Sequence, residues 1–402
     1  MIAQEQLING RVQPASLPIL IVGGGIGGLA AALALARKGV RTHVFEQAPQ
    51  FGEIGAGIQL GPNVFRMLER LGLESAIHER AVFVDALIMM DALTEQEITR
   101  VPVDEGFRRR FGKPYAVIHR ADLHAVFLEA CRNMNEVTLE TSRKITDIAE
   151  DDDIVTITTA DGASYRGRAL IGADGLWSRI RRHVVGDDAP IVSGHIAYRA
   201  VLPIEEMPER IRWNAATLWA GPKNHLVHYP LRGWKLFNLV AVFHSDTYNE
   251  GWNTEGNRDE LMHRFEGVGP TVRGLLEKIE TWRMWVLCDR EPIENWSRGA
   301  VTLIGDAAHP MLQYFAQGAC MAIEDAVCLA DRLSVSGNDP SAAFRGYQEE
   351  RYLRTGRVQL TARFLGQVYH AAGVERALRN QMLAGRTPEK AWEGLAWLYG
   401  GP

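Results

Sequence analysis

The chain has 402 residues, 46% hydrophobic, 8% aromatic and 23% charged, the composition of a globular protein with a large core and not of a disordered or collagen-like chain. Lys+Arg 44 against Asp+Glu 49 leaves a net charge of −5, without the basic excess of a nucleic-acid binder. No uninterrupted apolar stretch reaches about 18 residues, so no membrane span is expected.

Residues 1–16 carry Glu5 and Arg11 among polar residues, in no basic-then-apolar order; they read as a flexible tail rather than an export signal. Cys131, Cys288, Cys320 and Cys328 are scattered, with no CxxC and no His–Cys cluster. The expectation is reduced thiols in a cytoplasmic protein, without a zinc or iron–sulfur site.

The apolar run Leu17–Val22 has the length of a strand buried on both faces, with Pro18 at its start. A glycine cluster follows, and then Leu29–Lys38, rich in Ala and Leu as a helix packed on a sheet would be, with Gly39 placed to end it. Val40–Glu46 is a second strand. The three make a β-α-β unit, the element of a parallel sheet. Helices are expected at Asn63–Leu73 and Arg120–Arg132, and a solvated loop at Arg108-Arg109-Arg110. Ile154–Thr158 alternates, Asp161-Gly162 is a turn dipeptide and Ser164–Arg168 returns, which predicts an antiparallel hairpin. The aromatic-rich segments His195–Val201, Ala216–Ala220, His225–Tyr229 and Lys235–Phe243 predict a mostly antiparallel second unit. From Val301 the chain returns to strand, Gly-Asp and helix, and from Pro340 it reads as helical. The expected fold is α/β (α+β overall). A discontinuous dinucleotide-binding domain spans 17–190 and 287–339, a mostly antiparallel β substrate domain is inserted over 191–286, and 340–402 is helical.

Three glycine-acid stations carry the chemistry. The first, Gly23-Gly24-Gly25-Ile26-Gly27-Gly28, satisfies G-x-G-x-x-G between strand and helix. Glycines there let a pyrophosphate approach the backbone, and the helix N-terminus faces that anion. Glu46, at the end of the second strand, suits ribose hydroxyls. This station alone leaves NAD and FAD open. The second is Ala173-Asp174-Gly175 and the third Gly305-Asp306, each ending an apolar strand. An acid that returns so late in the chain suits a flavin cofactor, whose ribityl hydroxyls need partners. No second G-x-G-x-x-G exists, because Gly267-Val268-Gly269-Pro270 lacks the third glycine; one dinucleotide domain is expected.

Together these stations resemble the flavoprotein aromatic hydroxylases, the single-component FAD monooxygenases that include para-hydroxybenzoate and salicylate hydroxylases. The resemblance runs from Ile19 to about Leu333. It implies a Rossmann-like FAD-binding domain of the para-hydroxybenzoate hydroxylase type and FAD as bound cofactor. It also implies O2 as co-substrate, NADH as reductant with NADPH left open, and a small aromatic hydroxy acid as substrate. Gly23, Gly25 and Gly28 would then hold the ADP half of FAD, Glu46 the adenosine ribose and Arg120 the phosphate or ribose region. Asp174 and Gly175 would serve FAD and the visiting nicotinamide, Gly305 and Asp306 the ribityl chain, with Gly318 in the same segment. The glycine-rich stretch Gly52–Asn63, including Gly57, would lie at the flavin edge, where relatives let the ring swing.

The strings His225–Arg232, Asp289–Trp296 and Gly305–Asp325 are most similar to one branch, whose members hydroxylate 3-hydroxybenzoate para to its hydroxyl. Gln313 stands where many relatives have Pro. This likeness implies His225 as the base toward the substrate phenol, Gln313 as its hydrogen-bonding partner, and Tyr229 as a group orienting carboxylate or ring. Tyr229 and Val227 share a strand face with His225, whereas His228 points away. A phenol near pKa 10 and an imidazole near 6.5 mean that His225 acts through a hydrogen bond that strengthens as charge moves. A salicylate hydroxylase, a 6-hydroxynicotinate 3-monooxygenase and, outside the class, an FAD-dependent reductase without oxygen chemistry stay open. His309 is expected to pack at a helix start. Trp219, Trp282 and Trp285 are expected as core or pocket wall. Residues 340–402 should pack on the core or on a partner, so a homodimer stays open.

Overall fold

The computed structural model describes residues 7–8, 11–12, 16–52, 55, 57–151, 153–187, 189–245, 252–337 and 339–401. Of the expected tail, Leu7–Ile8 pairs antiparallel with Arg11–Val12; the rest lies outside the described residues, as do Glu53, Ile54 and Ala56 of the glycine-rich stretch.

Ile19–Val22 is buried at every position and lies inside a six-stranded sheet. Its order is Val137–Glu140, Thr42–Phe45, Ile19–Val22, Ala169–Gly172, Val301–Leu303, Ser297–Arg298. All neighbours are parallel except the last pair. The helix Ile26–Ala36 buries all but one of its residues, which explains its Ala-Leu composition. Small side chains let it lie between the sheet and two further helices, Arg120–Arg132 and Gly318–Val335.

The second sheet has eight strands: Trp252–Glu255, Arg283–Asp289, Ile191–Pro203, Leu236–His244, Asn224–Leu231, Ala215–Gly221, Ala86–Asp91, Glu97–Pro102. It is mostly antiparallel, but it is not confined to 191–286. Ala86–Asp91 joins it by parallel pairing with Ala215–Gly221, and Glu97–Pro102 follows antiparallel, so part of the expected first domain extends the second sheet. Behind the sheet, Trp219, Phe237, Phe243 and Trp282 form a separate core. The strand Asn224–Leu231 alternates as its parity demands: Leu226 packs into that core and His228 stacks on Trp219, ring centroids 6.3 Å apart, while His225, Val227 and Tyr229 face the other way.

Two local expectations differ from the structure. The hairpin Ile154–Thr159/Ser164–Gly167 gains a third strand, Ile145–Asp151. Arg108, Arg109 and Arg110 lie not in a loop but on the short helix Glu105–Phe111, whose N-terminal amides Asp104 caps.

The C-terminal region is helical over Pro340–Tyr369, Gly373–Leu383 and Pro388–Tyr399. Buried charge fixes the first of these to the core. Arg351 reaches Asp325 at 2.7 Å and Glu324 at 2.5 Å. Arg354 adds to Glu324 at 2.7 Å, Asn63 donates to Glu324 at 2.7 Å, and His309 meets Asp325 at 2.5 Å. Gly305 N–H completes the set on Asp325 at 3.0 Å. Burial alone would push the Asp325 carboxyl up, yet His309 and Arg351 outweigh it and hold that carboxyl well below the usual range. Among the described residues no helix is long and apolar enough to cross a membrane.

Substituting Arg351→Met keeps most of the side-chain volume but leaves two buried carboxylates short of a cation. Urea denaturation followed by circular dichroism should show a loss of about 3–5 kcal/mol. A midpoint equal to that of the wild type would show that the network contributes nothing net.

Candidate functional site

One cavity of about 1820 Å³ runs between the two sheets, well above the roughly 300–1,000 Å³ of a drug-sized pocket. Every residue expected to touch the cofactor lines it except Gly28. Gly28 lies just behind, where a Cβ would overlap the carbonyl oxygen of Gly23, so only glycine lets the helix start this close to the strand. The helix Ile26–Ala36 begins at Gly25 with no side-chain cap and no acid in its first turn. Its unpaired N–H groups and positive dipole end are therefore open to an anion. The helix Gly318–Val335 starts in the same uncapped way on the opposite wall.

Glu46 braces this end. Its carboxylate accepts from Gly24 N–H and Ala48 N–H, both at 2.8 Å, while still lining the cavity. Asp174 lines the cavity as well and also serves the backbone. Its oxygens accept from the Ser178 hydroxyl at 2.5 Å, Arg179 N–H at 2.7 Å and Ile180 N–H at 3.2 Å. The carboxylate thus starts the helix Arg179–Val184, and burial pushes its pKa up. A glycine cradle, two uncapped helix ends and the acids Glu46 and Asp306 in one long cavity fit a dinucleotide bearing a ribityl chain.

At the other end of the cavity the strand Asn224–Leu231 presents His225 and Tyr229. The Tyr229 ring lies against Gly57, where a Cβ would overlap it, and Gly57 N–H is held by Asn238 Oδ1 at 2.8 Å. The glycine expected at the cofactor edge is therefore also the seat of the tyrosine. His225 is buried, with Nδ1 2.7 Å from His370 Nε2, which leaves Nε2 for the cavity. Burial, reinforced by His195 and His244, lowers its pKa to about 3, so the ring is neutral at working pH. Gln313 lines the same space, and its Oε1 accepts from Arg199 Nη2 at 2.5 Å.

Arg199 was not singled out from the sequence. Its guanidinium sits 5.2 Å over the Trp285 ring, and its Nε has no partner. Among the described residues no carboxylate pairs with it. Burial, with Arg120 nearby, lowers its pKa to about 10. An arginine in a strand gives no sequence signal of this kind; a cavity-lining cation without a counter-ion shows only in three dimensions. His370 was missed for a related reason, because it follows a helix that reads as generic packing. His309 is buried against Asp325 rather than open to the cavity. Trp219 and Trp282 are core, and Trp285 is cavity wall.

Residues 16–360 match the family described as FAD binding domain. The chain is 50% identical over 387 residues to a 3-hydroxybenzoate 6-hydroxylase of Polaromonas naphthalenivorans (strain CJ2), covering 96% of each chain. It is 48% identical to 3-hydroxybenzoate 6-hydroxylase 1 of Aquipseudomonas alcaligenes, covering 95% of this chain and 97% of that one. Among solved structures, Klebsiella pneumoniae HpxO complexed with FAD and uric acid superimposes with a TM-score of 0.85 at 26% identity, covering 97% of this chain and 98% of that one.

A Gly28→Ala variant should be purified with little or no FAD, read from the ratio of flavin to protein absorbance, because the helix end must retreat from the strand. Full flavin content would show that the close approach at Gly23 is dispensable.

Proposed function

Since the chain belongs to the FAD-binding aromatic hydroxylases, FAD-dependent monooxygenases of aromatic rings, we propose that it converts 3-hydroxybenzoate to 2,5-dihydroxybenzoate. The reaction takes up O2, with NADH as reductant, and water is the second product. The observation that carries this reading is the charge inventory of the cavity. A half-buried guanidinium without a carboxylate partner among the described residues, its Nε buried and unpaired, stands in the same space as a buried neutral imidazole. A cation taken out of water is costly unless an anion joins it. An aromatic acid supplies that anion, and its phenol supplies the hydrogen bond that His225 Nε2 accepts.

FAD would be held by the Gly23–Gly28 turn, Glu46, Arg120 and the Gly305-Asp306 turn, and once reduced it supplies activated oxygen for insertion into the ring. The protein's own groups prepare the substrate. Arg199 takes the carboxylate, with Tyr229 against Gly57 limiting how the ring can turn. Gln313, fixed through Oε1 by Arg199, keeps its amide N–H groups for the phenol oxygen. As His225 draws the phenolic proton, electron density rises at the carbon para to the hydroxyl, the position to be hydroxylated. Because His225 is held neutral by burial, it is present as an acceptor without waiting for deprotonation.

Incubation with NADH, O2 and 3-hydroxybenzoate should give 2,5-dihydroxybenzoate by chromatography. His225→Ala should keep FAD and substrate-stimulated NADH oxidation while the reducing equivalents end as hydrogen peroxide. Catechol and CO2 from salicylate, or a dihydroxypyridine from 6-hydroxynicotinate, as the favoured turnover would displace this reading, and normal coupling in His225→Ala would remove that residue from the chemistry.

Arg199→Met should raise KM for 3-hydroxybenzoate by about 10–100-fold, the worth of a hydrogen bond to a charged group. The neutral 3-hydroxybenzamide should respond far less. Equal effects on acid and amide would mean that Arg199 does not bind the carboxylate.

A further inference from the structure

We propose that His225, His370 and His244 form a proton relay between the substrate hydroxyl and the outside of the protein, an inference that rests on the phenol-activating role given above to His225. The three imidazoles stand in series. His225 Nδ1 is 2.7 Å from His370 Nε2, and His370 Nδ1 is 2.9 Å from His244 Nε2. They come from separate elements: adjacent strands Asn224–Leu231 and Leu236–His244, and the residue that caps the helix Pro340–Tyr369. His225 and His370 are buried, and His244 is half-buried. A histidine that only filled space would not have both ring nitrogens engaged in line by other imidazoles.

A neutral imidazole donates from one nitrogen and accepts at the other. With each ring protonated on Nδ1, the phenol O–H passes its proton to His225 Nε2. His225 Nδ1–H then passes its own to His370 Nε2, and His370 Nδ1–H to His244 Nε2. One O–H and two N–H bonds break as three N–H bonds form. The phenolate stays in the cavity, and the positive charge appears on His244, where water can solvate it. Neither buried ring carries net charge at the end, which suits the depressed basicity of His225 and His370. After oxygen insertion the hydrogen already on the attacked ring carbon leaves as a proton, which restores the aromatic ring and its phenolate, and the reverse sequence returns a proton to that oxygen and restores each tautomer. Groups that face the series include His195, its ring 4.1 Å from His244 and 5.2 Å from His370 and its Nδ1 2.6 Å from the Tyr314 hydroxyl, together with Tyr314 and Tyr369, whose rings lie 5.5 and 5.6 Å from His225. The relay moves a proton without opening the reacting ring to water, which would waste activated oxygen.

The test uses oxidised, FAD-loaded protein with bound 3-hydroxybenzoate and no reductant. A stopped-flow pH jump follows ionisation of the bound phenol by ultraviolet absorbance. His370→Phe and His244→Phe should each slow that step by about tenfold or more, with Kd for the acid within about twofold, and added imidazole should restore part of the rate. His195→Phe, outside the series, should leave the rate close to that of the wild type. An unchanged rate in His370→Phe with intact binding would overturn the relay. So would a stoichiometric divalent metal in the purified protein bound by His195, His244 and His370, whose ligand atoms lie within 4.8 Å of one another. His244→Phe carries the same test if His370→Phe does not fold. Failure of the substrate assignment would look different, as wild-type protein that makes no 2,5-dihydroxybenzoate.

Discussion

Two carboxylates that sit side by side in the core, Glu324 and Asp325, govern how this molecule is put together. Neither can stay ionised there alone, and each is met from several directions. The partners are not neighbours in sequence. They bring the Gly305 turn, the helix start at Asn63 and the C-terminal helix Pro340–Tyr369 to one point. The turn faces the cofactor end of the cavity, while the far end of the same helix delivers His370 to the substrate end. One ionic knot therefore sets the distance between the two halves of the site.

The cavity itself is organised by what is left unpaired. Its cofactor end offers helix N-termini without caps, and its other end offers a half-buried guanidinium without a counter-ion among the described residues. Both features cost stability in the empty protein, and on the function proposed above anionic ligands would relieve them, a pyrophosphate in one case and an aromatic carboxylate in the other. Between them stands an imidazole kept neutral by its surroundings. Net charge on the surface tells nothing of this, since the protein as a whole is slightly acidic.

Much of the architecture could be read from local pattern, because its signals are local. A strand buried on both faces is a continuous apolar run, as Ile19–Val22 is, and a turn such as Asp161-Gly162 announces its hairpin. What escaped notice depends on distant partners. Ala86–Asp91 belongs to the second sheet only because Ala215–Gly221, far along the chain, lies beside it. At the site, the glycine-acid stations and the His225/Tyr229 parity were legible, since spacing encodes them. Arg199 and His370 were not, because their distinction is a missing partner in one case and a pair of imidazole contacts in the other. Asp174 shows the opposite limit: its motif was visible, but the sharing of its oxygens between the Ser178 hydroxyl and two backbone amides was not.

The order of strands in the parallel sheet has a bearing on biosynthesis. Val301–Leu303 has to reach its place beside Ala169–Gly172, and Arg351 must then close over Glu324 and Asp325. During translation the N-terminal β-α-β unit leaves the ribosome long before either partner exists. The walls of the cofactor cavity are therefore complete only after most of the chain has been made, so full enclosure of the pigment belongs to the end of synthesis rather than its start.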